Sequence, residues 1–381
     1  MAVQPHRVRF LISYVLLLAA VGMAPPLSAA TQVVQGEIKG APYQIEVPDN
    51  WNGDLVLLQH GFVFPGPGLT LPPADHAYFD PLSAELAARG FAVAYSAYRT
   101  NGWAIQEGAK DTSALAKRFD EQFGPAANTY LIGYSMGTHI GDMLARKGPQ
   151  KERFAGHLAV CAPLGGTTVL TDYSNDGWVL FDYFFPGVLP GEPITSGYNF
   201  FEIWFSEVFP AIQANSAAAT EYASVMRIPW NDPFERDFAI LLSLLITGDG
   251  MQGIQDKARG NFYDNRFTVY SGSSDDVALN AGVARFEADP QAREYIGRYY
   301  DPTGSLGQTK VLHLHETRDP IVNMQLHVSA YHRVLEAAGE TGQYVLRTKD
   351  QSNHCGFTNE EVLASFDDLV EWVETGIAPT P

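Results

Sequence analysis

The chain has 381 residues, enough for one large domain or two ordinary ones with a deep apolar core and no need of disulfide staples. Its 25 basic and 43 acidic residues give a net charge of −18, which argues against nucleic acid and anionic membrane surfaces as partners and otherwise serves solubility. The two cysteines, Cys161 and Cys355, form an even pair of the kind an oxidising compartment can bridge.

Residues 1–30 read as a secretory signal peptide: Arg7 and Arg9, an apolar run from Phe10 to Val21, then small residues ending Ser28-Ala29-Ala30. The run falls short of the roughly 18 residues a membrane span needs, and Pro25-Pro26 interrupts it. Export to the periplasm or the medium with cleavage near Ala30 is expected, leaving a chain of net charge −20 without stable membrane insertion.

Two short strands, Val33 to Ile38 and Tyr43 to Val47, are expected to meet through a turn at Gly40-Ala41-Pro42. Asp54 to Gln59 is an apolar run suited to a strand buried on both faces, and it ends at His60-Gly61-Phe62. A helix from Pro81 to Arg89 stops at Gly90, and Phe91 to Tyr98 supplies the next strand. The alternation continues with an amphipathic stretch from Ala104 to Phe123, strand Thr129 to Tyr134, helix Met136 to Lys147 and strand Phe154 to Cys161.

From 164 to 308 the rhythm stops, and it resumes with strand Lys310 to His315, helix Asn323 to Ala338, strand Tyr344 to Thr348 and helix Asn359 to Thr375. The fold class is therefore α/β, a doubly wound and mostly parallel sheet over 31–163 and 309–376, with a large cap inserted at 164–308 and a tail at 377–381. The cap is expected to be helical and mobile over the sheet, with an apolar helix at Phe234 to Ile246 and polar helical sequence at Asp275 to Gly297. Twelve aromatic residues between Tyr173 and Phe209 rule out a solvated linker; they suit the cap's own core, the wall of an apolar pocket, or both.

Gly133-Tyr134-Ser135-Met136-Gly137 matches G-x-S-x-G and lies between a strand and a helix, as that motif's mechanics require. Glycines on both sides let strand and helix pack closely while Ser135 projects from the turn. A serine hydroxyl needs a base, and the base needs an orienting carboxylate. His354 lies in a polar loop between the last strand and the last helix and is the best-placed histidine, with His76 its rival. Asp319 stands after the resumed strand, where Pro320 stops that strand from running on, and Glu316 is the alternative acid. The backbone N–H groups of Phe62 and Met136 are the expected oxyanion hole, with the His60 side chain structural.

These residues, in this spacing, resemble the α/β-hydrolase superfamily in its carboxylesterase, lipase and serine-peptidase branch. The resemblance implies a Ser-His-Asp acyl-enzyme mechanism, no cofactor, and a small or polymeric ester substrate. His354-Cys355 is also similar to tannase-like and feruloyl-esterase-like enzymes, whose cysteine after the histidine bridges to one just before the serine. Here Tyr134 occupies that second position, and Cys161 on the neighbouring strand would serve the same bracing; bonded and free states both remain open. His313-Leu314-His315 sets two imidazoles on one strand face, but with no suitably spaced third ligand it reads as a buried pair and not as a metal site. An aromatic roof favours esters with hydrophobic or aromatic groups. The competing readings are an aminopeptidase-like enzyme, whose substrate amine Glu192, Glu202, Glu207 or Glu221 would receive, and a non-catalytic binding protein of the same fold.

Overall fold

The computed structural model describes residues 31–66, 68–73, 76–146, 151–190, 192 and 200–381. The expected signal peptide, the end of the Met136 helix at Lys147, and Tyr198 of the aromatic stretch lie outside the described residues.

The described residues open with a hairpin, β1 (Thr31–Ile38) and β2 (Ala41–Pro48). Its turn is Lys39-Gly40, one residue earlier than expected, with φ of 53° and 86°. Positive φ at both centres makes the tight two-residue turn whose twist matches that of paired strands, so pairing runs from Ile38 opposite Ala41 to Thr31 opposite Pro48.

The sheet proper alternates with helices. β3 (Leu55–Gln59) leads to α1 (Phe79–Ala88), β4 (Ala92–Ser96), α2 (Ile105–Phe123), β5 (Thr129–Tyr134), α3 (Met136–Arg146) and β6 (Phe154–Val160). The strand order is β1-β2-β4-β3-β5-β6-β7-β8, antiparallel at the hairpin and at β2 with β4 and parallel from β4 onward.

Strand alternation sends side chains to two faces. On β3, Leu55 and Leu57 join the layer of Leu115 and Ile140 from α2 and α3, while Val56 and Leu58 join that of Phe79, Leu82, Phe366 and Trp372. Burial on both faces is why these strands read as unbroken apolar runs. The chain leaves β3 for β4 on one side and returns to β5 on the other, so β3 and β5 flank the switch point and pair from Leu55 with Thr129 to Gln59 with Gly133. The crevice beyond such strand ends is where open α/β sheets place ligands.

The cap is helical: α4 (Thr167–Phe184), α5 (Phe200–Ile203), α6 (Phe209–Ala214), α7 (Ser216–Val225), α8 (Pro233–Ser243), α9 (Asp249–Ala258), α10 (Asp276–Gly282) and α11 (Pro290–Tyr300). A π-helical turn, Trp204–Val208, joins α5 to α6. The polar stretch expected from Asp275 to Gly297 is two helices, because Asp289 stands extended before Pro290 and its side chain caps a fresh helix start. Phe181, Tyr222 and Ile240 of the cap belong to the same continuous core as Leu57 and Ile140. Ion pairs also join the cap to α2, through Lys257–Glu107 at 2.8 Å, and to the segment just after Glu316, through Arg318–Glu235 at 2.7 Å.

The closing elements are β7 (Lys310–Glu316), α12 (Met324–Ala338), β8 (Tyr344–Lys349) and α13 (Asn359–Thr375). Thr358 and Glu361 form a reciprocal capping box at the start of α13, which fixes the end of the loop carrying His354. Among the described residues no helix is long and apolar enough to cross a membrane.

Candidate active site

Ser135 sits between β5 and α3 with φ 50°, a left-handed backbone that a non-glycine residue adopts only when its surroundings enforce it. The enforcement is steric. A Cβ on Gly133 would meet the backbone of Gly137 and Thr138 at 2.8 Å, and one on Gly137 would overlap the carbonyl oxygen of Gln59. Helix α3 thus packs its first turn directly on the ends of β3 and β5, and only glycine fits at both contacts. The Ser135 N–H is spent on the Val160 carbonyl at 3.0 Å, which fastens the turn to β6.

Three loops then converge. The Ser135 Oγ lies 2.9 Å from His354 Nε2, and His354 Nδ1 lies 2.7 Å from Asp319 Oδ2. Asp319 Oδ1 accepts the N–H groups of Ile321 and Val322, both at 2.9 Å, so the loop after β7 holds the carboxylate from below. Burial works against ionisation of Asp319, but His354 and the donors around it prevail and hold the carboxyl below its ordinary range. Burial likewise opposes charge on His354, yet Asp319 and Glu316 outweigh it and raise the imidazole above its ordinary value.

Glu316, the alternative acid, is fully buried and does a different job. One oxygen accepts the Gly356 N–H two residues beyond His354, and the other has no partner among the described residues. Burial and repulsion from Asp319 raise its pKa.

The histidine pair on β7 is also placed. His315 Nε2 lies 3.0 Å from the Val322 carbonyl and 3.5 Å from Asp319 Oδ2, His315 Nδ1 lies 2.9 Å from His313 Nε2, and His313 Nδ1 lies 2.8 Å from the Tyr344 hydroxyl. A carbonyl only accepts, so His315 Nε2 carries a hydrogen; in a neutral chain His313 then donates to His315 and Tyr344 donates to His313. The series thus runs from the Tyr344 hydroxyl to the Val322 carbonyl, passing within 3.5 Å of Asp319. Sequence reading recognised the pair as buried but not its orientation, because nothing in β7 alone reveals that Tyr344 and Asp319 flank it.

Met136 opens α3 and Phe62 follows β3, and among the described residues neither N–H has an acceptor within the protein. The adjacent Gly61 N–H is tied to His76 Nε2 at 2.9 Å. His76, the rival base, therefore braces the loop after β3, while His354 is the histidine bonded to Ser135. His60 stacks on Tyr98 with ring centroids 3.9 Å apart, bonds the Gly61 carbonyl, and is driven by burial and by His76 to a pKa of about 3, so it is a neutral structural ring.

Ser135 and His354 open into a cavity of about 310 Å³ walled by Phe62, Phe64, Trp103, Leu170, Leu245 and Ile321. Of the glutamates weighed as an amine site, none lines it, and no other carboxylate does among the described residues. Cys161 and Cys355 are joined, with Cα atoms 5.0 Å apart, linking the end of β6 to the residue after His354.

The sheet order, the left-handed serine after β5 and the acid and histidine loops after β7 and β8 together define the architecture. The chain has the α/β-hydrolase fold. No family model matches the sequence, and no curated protein matches it. Solved structures similar in outline include feruloyl esterase B from Aspergillus oryzae, with 14% identity, a TM-score of 0.48, and coverage of 92% of this chain and 82% of that one. Another is a carboxyl esterase from Bacillus coagulans, at 14% identity and a TM-score of 0.46, covering 91% of this chain and 99% of that one. An acylaminoacyl peptidase from Pyrococcus horikoshii is 9% identical at a TM-score of 0.44, with 91% and 41% covered.

The contacts around α3 give a direct expectation. Gly137→Ala should cost about 1–3 kcal/mol, since the added methyl must displace the Gln59 carbonyl or lift the helix. Urea unfolding checks it, and a variant as stable as the parent would contradict the packing described.

Proposed function

We propose that the protein is an exported serine hydrolase that cleaves carboxylic esters bearing hydrophobic or aromatic groups. The observation that carries this reading is the unbroken series Ser135–His354–Asp319 at 2.9 and 2.7 Å, opening on an apolar cavity.

In this mechanism His354 Nε2 takes the Ser135 proton as Oγ attacks the ester carbonyl. Asp319 holds the imidazole by Nδ1 and stabilises its charged form. The Phe62 and Met136 N–H groups receive the oxyanion at the positive end of α3. His354 then protonates the leaving alcohol, and a water molecule deprotonated by His354 cleaves the acyl-enzyme. The cavity walls favour esters over aminopeptidase substrates, because among the described residues no carboxylate lines the space to receive an amine.

Export fits the signal-like first thirty residues, and the Cys161–Cys355 link suits an oxidising compartment. The link would brace the histidine loop against β6. Thiol titration of the denatured mature protein should give none before reduction and two after it; two free thiols before reduction would contradict the pairing.

Hydrolysis of p-nitrophenyl esters of graded length should be lost by about 10⁴-fold or more in kcat on Ser135→Ala. Turnover surviving in that variant would place the nucleophile elsewhere. Only neutral His354 can accept the serine proton, so kcat/KM should rise with pH through a midpoint above the ordinary imidazole value of 6.5. An acidic limb centred below that value would contradict the influence of Asp319.

A further inference from the structure

The cap carries a series of aromatic rings that begins in the cavity wall and ends in open solvent. Phe64 lines the cavity and meets Phe201 edge-on at 5.0 Å. Phe201 stacks on Trp204 at 5.6 Å, and Trp204 on Phe205 at 5.5 Å with planes 8° apart. From Trp204 the series also turns to Phe238 at 6.2 Å and on to Phe234 at 6.4 Å, the last two again parallel to within 8°.

The outer rings are open to water: Phe205 and Phe234 are each 72% exposed, Phe201 48% and Phe238 44%. A lone exposed phenyl is ordinary, but a contiguous exposed apolar patch marks a binding surface. The backbone beneath it is specialised too, since the π-helical turn at Trp204–Val208 is a form that collects at functional sites.

We propose that this ring series is a substrate-binding surface continuous with the cavity, taking the unreacted, uncharged length of an aromatic polyester while one of its ester bonds lies at Ser135. This rests on the ester-hydrolase reading above. Continuity with the cavity through Phe64 makes the occupant part of the substrate itself. Charge makes it neutral: Glu202 and Glu207 lie among the rings in sequence, Glu235 is paired with Arg318, and Arg236 is buried and bonded to Asp237 and Thr220. Anionic chains and anionic lipid would be repelled by these groups and by the net charge of −18. The exposed rings of Phe205, Phe234 and Phe238 favour ring-bearing units over aliphatic ones, because ring stacking adds to simple area burial.

The test uses the full mature protein and a Phe205→Ser, Phe234→Ser double variant, neither position belonging to the cavity. Four measurements are compared: release of soluble product from an amorphous terephthalate polyester film, turnover of p-nitrophenyl butyrate, turnover of a tributyrin emulsion, and sedimentation. Adsorption to the film is measured in the Ser135→Ala background, where it needs no turnover. The expected result is a fivefold or greater fall in adsorption and film release, with p-nitrophenyl butyrate and tributyrin within twofold of the parent. Unchanged adsorption overturns the proposal. So does an equal fall on the soluble ester, which would make the rings supports of the cavity, or a selective fall on tributyrin, which would make the surface a lipid site. A parent dimer that the double variant dissociates also overturns it, because a second copy would then cover the rings. A parent inactive on every ester would instead remove the ester reading, while the adsorption result still decides the surface.

Discussion

Everything in the site depends on the left-handed backbone of Ser135 at the end of a buried strand. Such a conformation costs about 1–3 kcal/mol and persists only where the surroundings fix it. Here they do so by contact: α3 lies on the carbonyls of β3 with glycine at the points of closest approach, and the Ser135 N–H is bound to β6. Strain at one residue and close packing of three strands are two descriptions of a single constraint.

The second dependence is electrostatic. A fully buried carboxylate such as Asp319 is tolerated only when enough donors surround it. Two backbone amides and His354 supply them, and the His315 ring lies 3.5 Å away with His313 and Tyr344 behind it. Glu316, with its raised pKa, holds the Gly356 amide and so the far side of the histidine loop. The three loops are therefore tied to one another by polar contacts while the layers below are tied by apolar ones.

Much of this was legible in the sequence because the signals were local. The apolar run from Asp54 to Gln59 marked a strand buried on both faces, and the regular alternation marked strand Thr129 to Tyr134 and helix Asn359 to Thr375. Ser135, Asp319 and His354 stood out by their positions after strands, and the structure brings those three side chains together. What escaped were facts that arise only across the fold. The bracing of Gly61 by His76 depends on a loop that closes over fifteen residues, and the division of labour between Asp319 and Glu316 turns on which carboxylate reaches His354 and which reaches Gly356. The hairpin turn was misplaced by one residue because a lysine at positive φ leaves little trace in composition. The cap's aromatic core was legible, but its continuity with that of the sheet was not: Phe181 and Tyr222 join it through contacts that no periodicity encodes.

The central claim is that Ser135 is a nucleophile activated by His354. Its most direct measurement is covalent: treat the protein with an alkyl fluorophosphonate, then map the modified peptide by mass spectrometry. One phosphonyl group replacing the hydroxyl hydrogen of Ser135, with loss of fluoride, and greatly slowed in His354→Ala, is the predicted result. Stoichiometric labelling of another residue, or labelling of Ser135 at an unchanged rate without His354, would contradict it.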